Sequence, residues 1–195
     1  MDEPGAAAAE VEVPAELAAL RPLALHYFRC PPARWARLLL RARQLGADAV
    51  LTAVPWGWHQ PAAEVLDVAG VTHPGRDLRG FLDACAACGL WVVLDVGPYL
   101  GVGLLNGGLP AWLLRRHPDV YALDRELNAH QAPDGSGPLP SPEHPLWLRA
   151  VEEWYRQLAA ALSDRQAPHG PVVALCVCPA PIRAILPGKV YRYEQ

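Results

Sequence analysis

The chain has one methionine, two phenylalanines and no surplus of either charge: 17 basic against 20 acidic side chains in 195 residues, net −3. That balance gives no electrostatic reason to expect nucleic acid or an anionic membrane surface as a partner. No stretch reaches the roughly eighteen uninterrupted apolar residues of a membrane span. The opening MDEPGAAAAEVEVPAEL is acidic and alanine-rich, without the basic head and apolar run of a secretory signal, which points to the cytoplasm. Cysteines are few and odd in number, five, and Cys85, Cys88, Cys176 and Cys178 fall inside expected helix or strand. Reduced core thiols fit this better than a disulfide framework. Cys85-x-x-Cys88 has no second CxxC or suitably spaced histidine pair to complete four ligands, so packing is preferred to metal, and neither a metal nor a cofactor is expected.

What is plentiful is apolar character, 52%, and proline, 21 residues. One domain with a substantial core is expected at this length. Four apolar runs read as strands: Leu23 to Phe28, Ala49 to Val54, Leu90 to Val96 and Val172 to Val177. They are continuous rather than alternating, as in parallel strands covered on both faces. Helical spacing lies between them. Trp35, Leu38, Leu39, Ala42 and Leu45 follow Pro31-Pro32 and stop at Gly46. Leu78, Phe81, Leu82 and Cys85 follow Asp77 as N-cap and stop at Gly89. Trp147, Val151, Trp154, Leu158 and Leu162 make a third stripe, whereas Arg34, Arg37, Arg41 and Arg43 read as a solvated face.

This alternation predicts an α/β fold, a partial TIM-type (β/α) barrel of about four parallel β/α units. The expected divisions are a flexible segment 1–19, a half-barrel 20–181 and a tail 182–195, with a polar insertion from about Leu104 to Pro145 after the third strand. Such loops build the functional face of a barrel. A closed barrel needs eight units, and four leave two open strand edges. A second copy or second half-barrel would close them; a small doubly wound sheet or a fragment of something longer are the alternatives.

HYFR at 26–29, VPWGWHQP at 54–61, GLW with VVL at 89–94, GPY at 97–99, NGGLPAWLL at 106–114 and GPVVAL at 170–175 resemble, in order and spacing, the first half of the catalytic barrel of family 35 glycoside hydrolases, the β-galactosidase type. The resemblance implies retaining hydrolysis of terminal β-galactosides by two glutamates, one after strand four and one after strand seven. Retention requires carboxyl groups about 5–5.5 Å apart, one attacking the anomeric carbon and one protonating the leaving oxygen. The family's fourth strand ends Val-Glu-Asn-Glu-Tyr-Gly, which lays Cys178, Pro179, Ala180 and Pro181 over Glu, Asn, Glu and Tyr. Ala180 thus takes the acid/base position, and a methyl group donates no proton. Gly103 replaces a substrate-holding glutamate, Ala53 a tyrosine, Gln60 the glutamate after His59, and Asp95-Val96 an Arg-Pro pair. The second glutamate would lie beyond residue 195.

The losses fall on polar ligands while turns, tryptophans and helix stripes persist, which predicts a family 35-like protein without its own glycosidase activity that contacts sugar or serves in assembly. An active hydrolase of β-galactosides completed by a second chain, and a truncated gene product, are the other readings. Candidates for the sugar-facing cleft are His26, Trp56, His59, Asp95 and Tyr99, with a β-galactoside or another sugar as partner. For Asp95 a bonded or solvated place at the mouth is expected, and for the two histidines a bracing role. Trp112 is expected to be structural, and Cys178 is discounted as a nucleophile because prolines flank it.

Overall fold

In the computed structural model, residues 15–178 are described apart from 102, 125 and 133, together with 185–186 and 189–190. Strands β1 (Pro22–Ala24), β2 (Ala49–Ala53), β3 (Trp91–Pro98) and β4 (Val172–Cys178) form one sheet in the order β1-β2-β3-β4. All three pairings are parallel. The helices are α1 (Ala15–Ala18), α2 (Trp35–Gln44), α3 (Trp56–His59), α4 (Leu78–Ala87), α5 (Ala111–Arg116) and α6 (Pro145–Ala161). A separate antiparallel pair joins β5 (Ile185–Leu186) to β6 (Lys189–Val190). Sequential parallel strands joined through helices are the β/α units the pattern predicts, an arc of a TIM-type barrel.

The helix boundaries act as read, but the first stripe is not buried whole. After Pro31 a 3-10 turn over Pro32–Arg34 leads into α2, which buries Trp35, Leu39 and Ala42 and leaves its arginines in solvent; Leu38 and, just past the helix end, Leu45 are exposed as well. It ends before Gly46, where φ is +89° and a side chain would be strained. At α4 the Asp77 carboxylate accepts from the Gly80 amide at 2.8 Å, satisfying a donor that the first helical turn leaves orphaned. α6 puts Trp147, Trp154 and Leu158 into the core.

The first strand is shorter than the apolar run suggests. It spans Pro22–Ala24, and Tyr27–Arg29 form a 3-10 turn instead of its continuation. Tertiary packing decides this: Tyr27 is fully buried against Phe81 and Trp35, and its carbonyl accepts from Trp35 Nε1 at 3.1 Å. Conversely β3 runs two residues past Val96, to Pro98, with a register shift against β4 between Asp95 and Pro98.

The sheet has two unlike faces. Val50, Thr52, Val92 and Leu94 are wholly buried in the core that the helices cover. The opposite face carries two in-register rows, Ala24, Leu51, Val93 and Ala174, then Ala53, Asp95 and Cys176. In a barrel this second face is the interior, and its later row lies toward the C-terminal mouth. β4 ends the arc with Leu175 48% and Val177 52% exposed. Both line an apolar cavity of about 200 Å³ with Leu94, Tyr155, Leu158 and Leu162.

Candidate functional site

The C-terminal ends of the strands gather the residues singled out from sequence, but in two different environments. Trp56 and His59 lie inside. Trp56 opens α3 directly after β2, 1% exposed, its ring 5.7 Å from that of Trp154 in a stacked pair, and its Nε1 donates to Gln60 Oε1. His59 ends the same short helix with no exposed surface. Its Nδ1 stands 2.6 Å from the Asp67 carbonyl oxygen, which only accepts, so Nδ1 carries the proton and Nε2 accepts from the Tyr27 hydroxyl. Burial drives its pKa down to about 4, against the Asp67 carbonyl and carboxylate, which favour the charged ring. His59 is therefore a neutral brace at pH 7.

Asp67 anchors the loop on which His59 depends. Burial acts to raise its pKa, but the Thr72 hydroxyl and the amides of Thr72, Val71 and Ala69 all donate to the carboxylate and hold the pKa at about 2. Gln60 has a matching logic. Its Oε1 accepts from Trp56, its Nε2 donates to the Ala63 carbonyl at 2.7 Å, and its own carbonyl accepts from Trp112 Nε1 at 2.9 Å. An ionised carboxylate in this place has no N–H to give to Ala63. Trp112 is thereby structural, tying α5 to the end of α3.

His26, Asp95 and Tyr99 are half-buried at the mouth. His26 Nδ1 accepts from the Ala53 amide at 3.2 Å, which leaves the proton on Nε2 as a donor. Burial first, then the Arg29 charge, lower its pKa, so the ring stays neutral. Asp95 accepts from the Gly97 amide at 3.3 Å, and burial raises its pKa against that bond. The side chains level with it on the same face are Ala53 and Cys176. Asp95 is the single carboxylate within β1 to β4.

Tyr99 just beyond β3 lies over the Asn106-Gly107 turn, so closely that a Cβ on Gly107 would stand 2.1 Å from its Cε2. Its hydroxyl meets Ser136 Oγ and donates to Asp134 Oδ1 at 3.2 Å. The insertion thus returns a carboxylate to the mouth, which sequence reading had not singled out. The signal was present in Asp134-Gly135-Ser136-Gly137: an aspartate followed two residues later by serine forms a local turn in which the side chain caps the backbone. Which strand end that turn would visit was not legible locally. Ala180, Pro179 and Pro181 lie outside the described residues.

The sequence profile of Glycosyl hydrolases family 35 matches residues 18–126, and the chain belongs to that family. It is 35% identical over 146 residues to an exo-β-D-glucosaminidase of Pyrococcus horikoshii, covering 72% of this chain and 18% of that protein. With the mouse β-galactosidase-1-like protein it shares 35% over 134 residues, 69% of this chain and 17% of the relative. Among solved structures, the β-galactosidase of the psychrophilic Marinomonas ef1 superposes with a TM-score of 0.56 at 19% identity, covering 80% of this chain and 21% of that one, a likeness of fold. The chain spans about a fifth of the length of the curated relatives it matches.

Proposed function

We propose that this chain is a sugar-contacting half-barrel of family 35 that does not cleave glycosides by itself. The observation that carries the reading is the row Ala53, Asp95, Cys176: one carboxylate, flanked on its own face by a methyl and a thiol. Retaining hydrolysis needs a second carboxyl about 5–5.5 Å from the first. The resemblance adds that Ala180 takes the place of the acid/base glutamate. His26 Nε2–H, the Asp95 carboxylate and Tyr99 offer a donor, an acceptor and an aromatic ring to a hydroxylated ligand, while Trp56 and His59 hold that rim in place from within. The names of the relatives suggest terminal β-galactosides and β-glucosaminides as the ligand class.

A second reading has a specific support. Leu175 and Val177 leave apolar surface on β4, which among the described residues pairs only with β3, beside the cavity against α6. A second half-barrel, from another chain or another copy of this one, would cover that edge and bring further carboxylates to the mouth.

Titration with methyl β-D-galactoside and methyl β-D-glucosaminide, followed by amide chemical shifts, separates the readings from a merely structural role. The proposal expects saturable shifts around His26, Asp95 and Tyr99. Shifts absent at all three, or confined to the β4 edge, contradict it.

A further inference from the structure

The outer side of the sheet is covered unevenly. α6 packs over β3: Trp154 Nε1 donates to the Val96 carbonyl at 3.1 Å, and the Tyr155 hydroxyl donates to the Gly97 carbonyl at 2.6 Å. On β4, Leu175 stands opposite the buried Leu94, so Leu175 and Val177 continue the helix-facing side past the cover of α6. Both are about half exposed there and, with Tyr155, Leu158, Ala159 and Leu162, line the apolar cavity of about 200 Å³. Water gains little in such a space, because an ordered molecule needs about three polar partners.

The described elements that follow β4 are a hairpin. β5 and β6 pair antiparallel, with Ile185 opposite Val190 and Leu186 opposite Lys189. That register puts Ile185 and Val190 on one face and Leu186 and Lys189 on the other. With two residues per strand the pair does not stand alone in water; it needs its apolar face packed on something. Ile185 lies seven positions beyond Cys178, the last residue of β4, a reach of up to about 25 Å. Leu175 and Val177 lie within about 10 Å of that strand end.

We propose that the β5–β6 hairpin folds back over the β4–α6 cavity and caps it with its Ile185/Val190 face, where the next helix of a β/α succession would lie. The occupant of the cavity is this chain's own segment, not a second copy. Covering Leu175 and Val177 removes an apolar patch that would otherwise draw another molecule. The cap sits on the outer side of the sheet and is independent of sugar binding at the mouth.

The test is isotope-filtered NOE spectroscopy on the full chain, mixed from labelled and unlabelled protein. Contacts from the Ile185 and Val190 methyls to Tyr155, Leu158 or Leu175 are expected within one copy. Contacts only between copies make a second molecule the occupant, and no contacts leave the cavity uncapped; either result overturns the proposal. Ile185→Asp is expected to lower the melting temperature by about 3–10 °C and to raise binding of a hydrophobic dye. Leu186→Asp, on the other face, should stay within about 2 °C of the wild type. No loss in Ile185→Asp, or an equal loss in both variants, also overturns it.

Discussion

The Tyr27 hydroxyl donates to Nε2 of His59, joining the turn after β1 to the helix after β2 inside the core. Its geometry requires the neutral ring, and burial lowers the His59 pKa to about 4. In the unfolded chain the ring titrates near 6.5. Between those values the unfolded state binds more protons, so stability is full at pH 7 and is lost as pH falls from about 6.5 to about 4. The expected loss is on the order of 3 kcal/mol, read from urea midpoints at pH 7, 5.5 and 4.5. Asp67 adds to acid lability only lower, between about 4 and its folded value of about 2. His59→Asn should be less stable at pH 7 and flatter over this interval. An unchanged slope in the variant contradicts the assignment.

Gln60→Glu restores the residue type that the family resemblance expects after His59, yet it should destabilise the chain. The carboxylate keeps the bond from Trp56 Nε1 but faces the Ala63 carbonyl without a proton between them. A buried acceptor set against an acceptor costs about 1–3 kcal/mol, more if the charge stays buried. Protonation supplies the missing donor, so the penalty should shrink as pH falls toward 5. Thermal unfolding at pH 7.5 and pH 5 measures both effects; a stabilised variant would show that the amide is not the matched partner.

At Gly107, φ is +60° and the Tyr99 ring occupies the space of a side chain. Gly107→Ala should therefore cost about 1–3 kcal/mol and displace Tyr99 from Ser136 and Asp134. The checks are the melting temperature and the ring proton shifts of Tyr99. If the ring shifts stay in place, the NGG turn does not set the position of Tyr99.

Legibility followed the range of the interactions. The stripes around Trp35/Leu39/Ala42 and Leu78/Phe81/Leu82, the Asp77 cap and the Gly46 and Gly89 stops are local signals that mark what they indicate, save that Leu38 and Leu45 of the first stripe face solvent. Strand one was overrun because Tyr27 leaves the extended path for partners 8 and 54 residues away, Trp35 and Phe81, which an apolar run does not encode. Around the mouth, the motifs did not show which side chains face inward. The VPWGWHQP segment reads as a row of polar and aromatic groups, yet a one-turn helix sends Trp56 and His59 into the core and ties Trp58 Nε1 to the Gly75 carbonyl. Asp134 stayed hidden for the opposite reason: its turn is readable, but its contact with Tyr99 spans 35 residues of insertion.

The most direct measurement for the central claim is hydrolysis of chromogenic β-galactoside and β-glucosaminide by the purified chain, with Asp95→Asn alongside. Lacking a second carboxyl level with Asp95, the protein should release no chromophore above the buffer rate, and Asp95→Asn should behave identically. Turnover by the wild type that disappears in Asp95→Asn would mean that a partner carboxyl does reach the mouth, and would contradict the account.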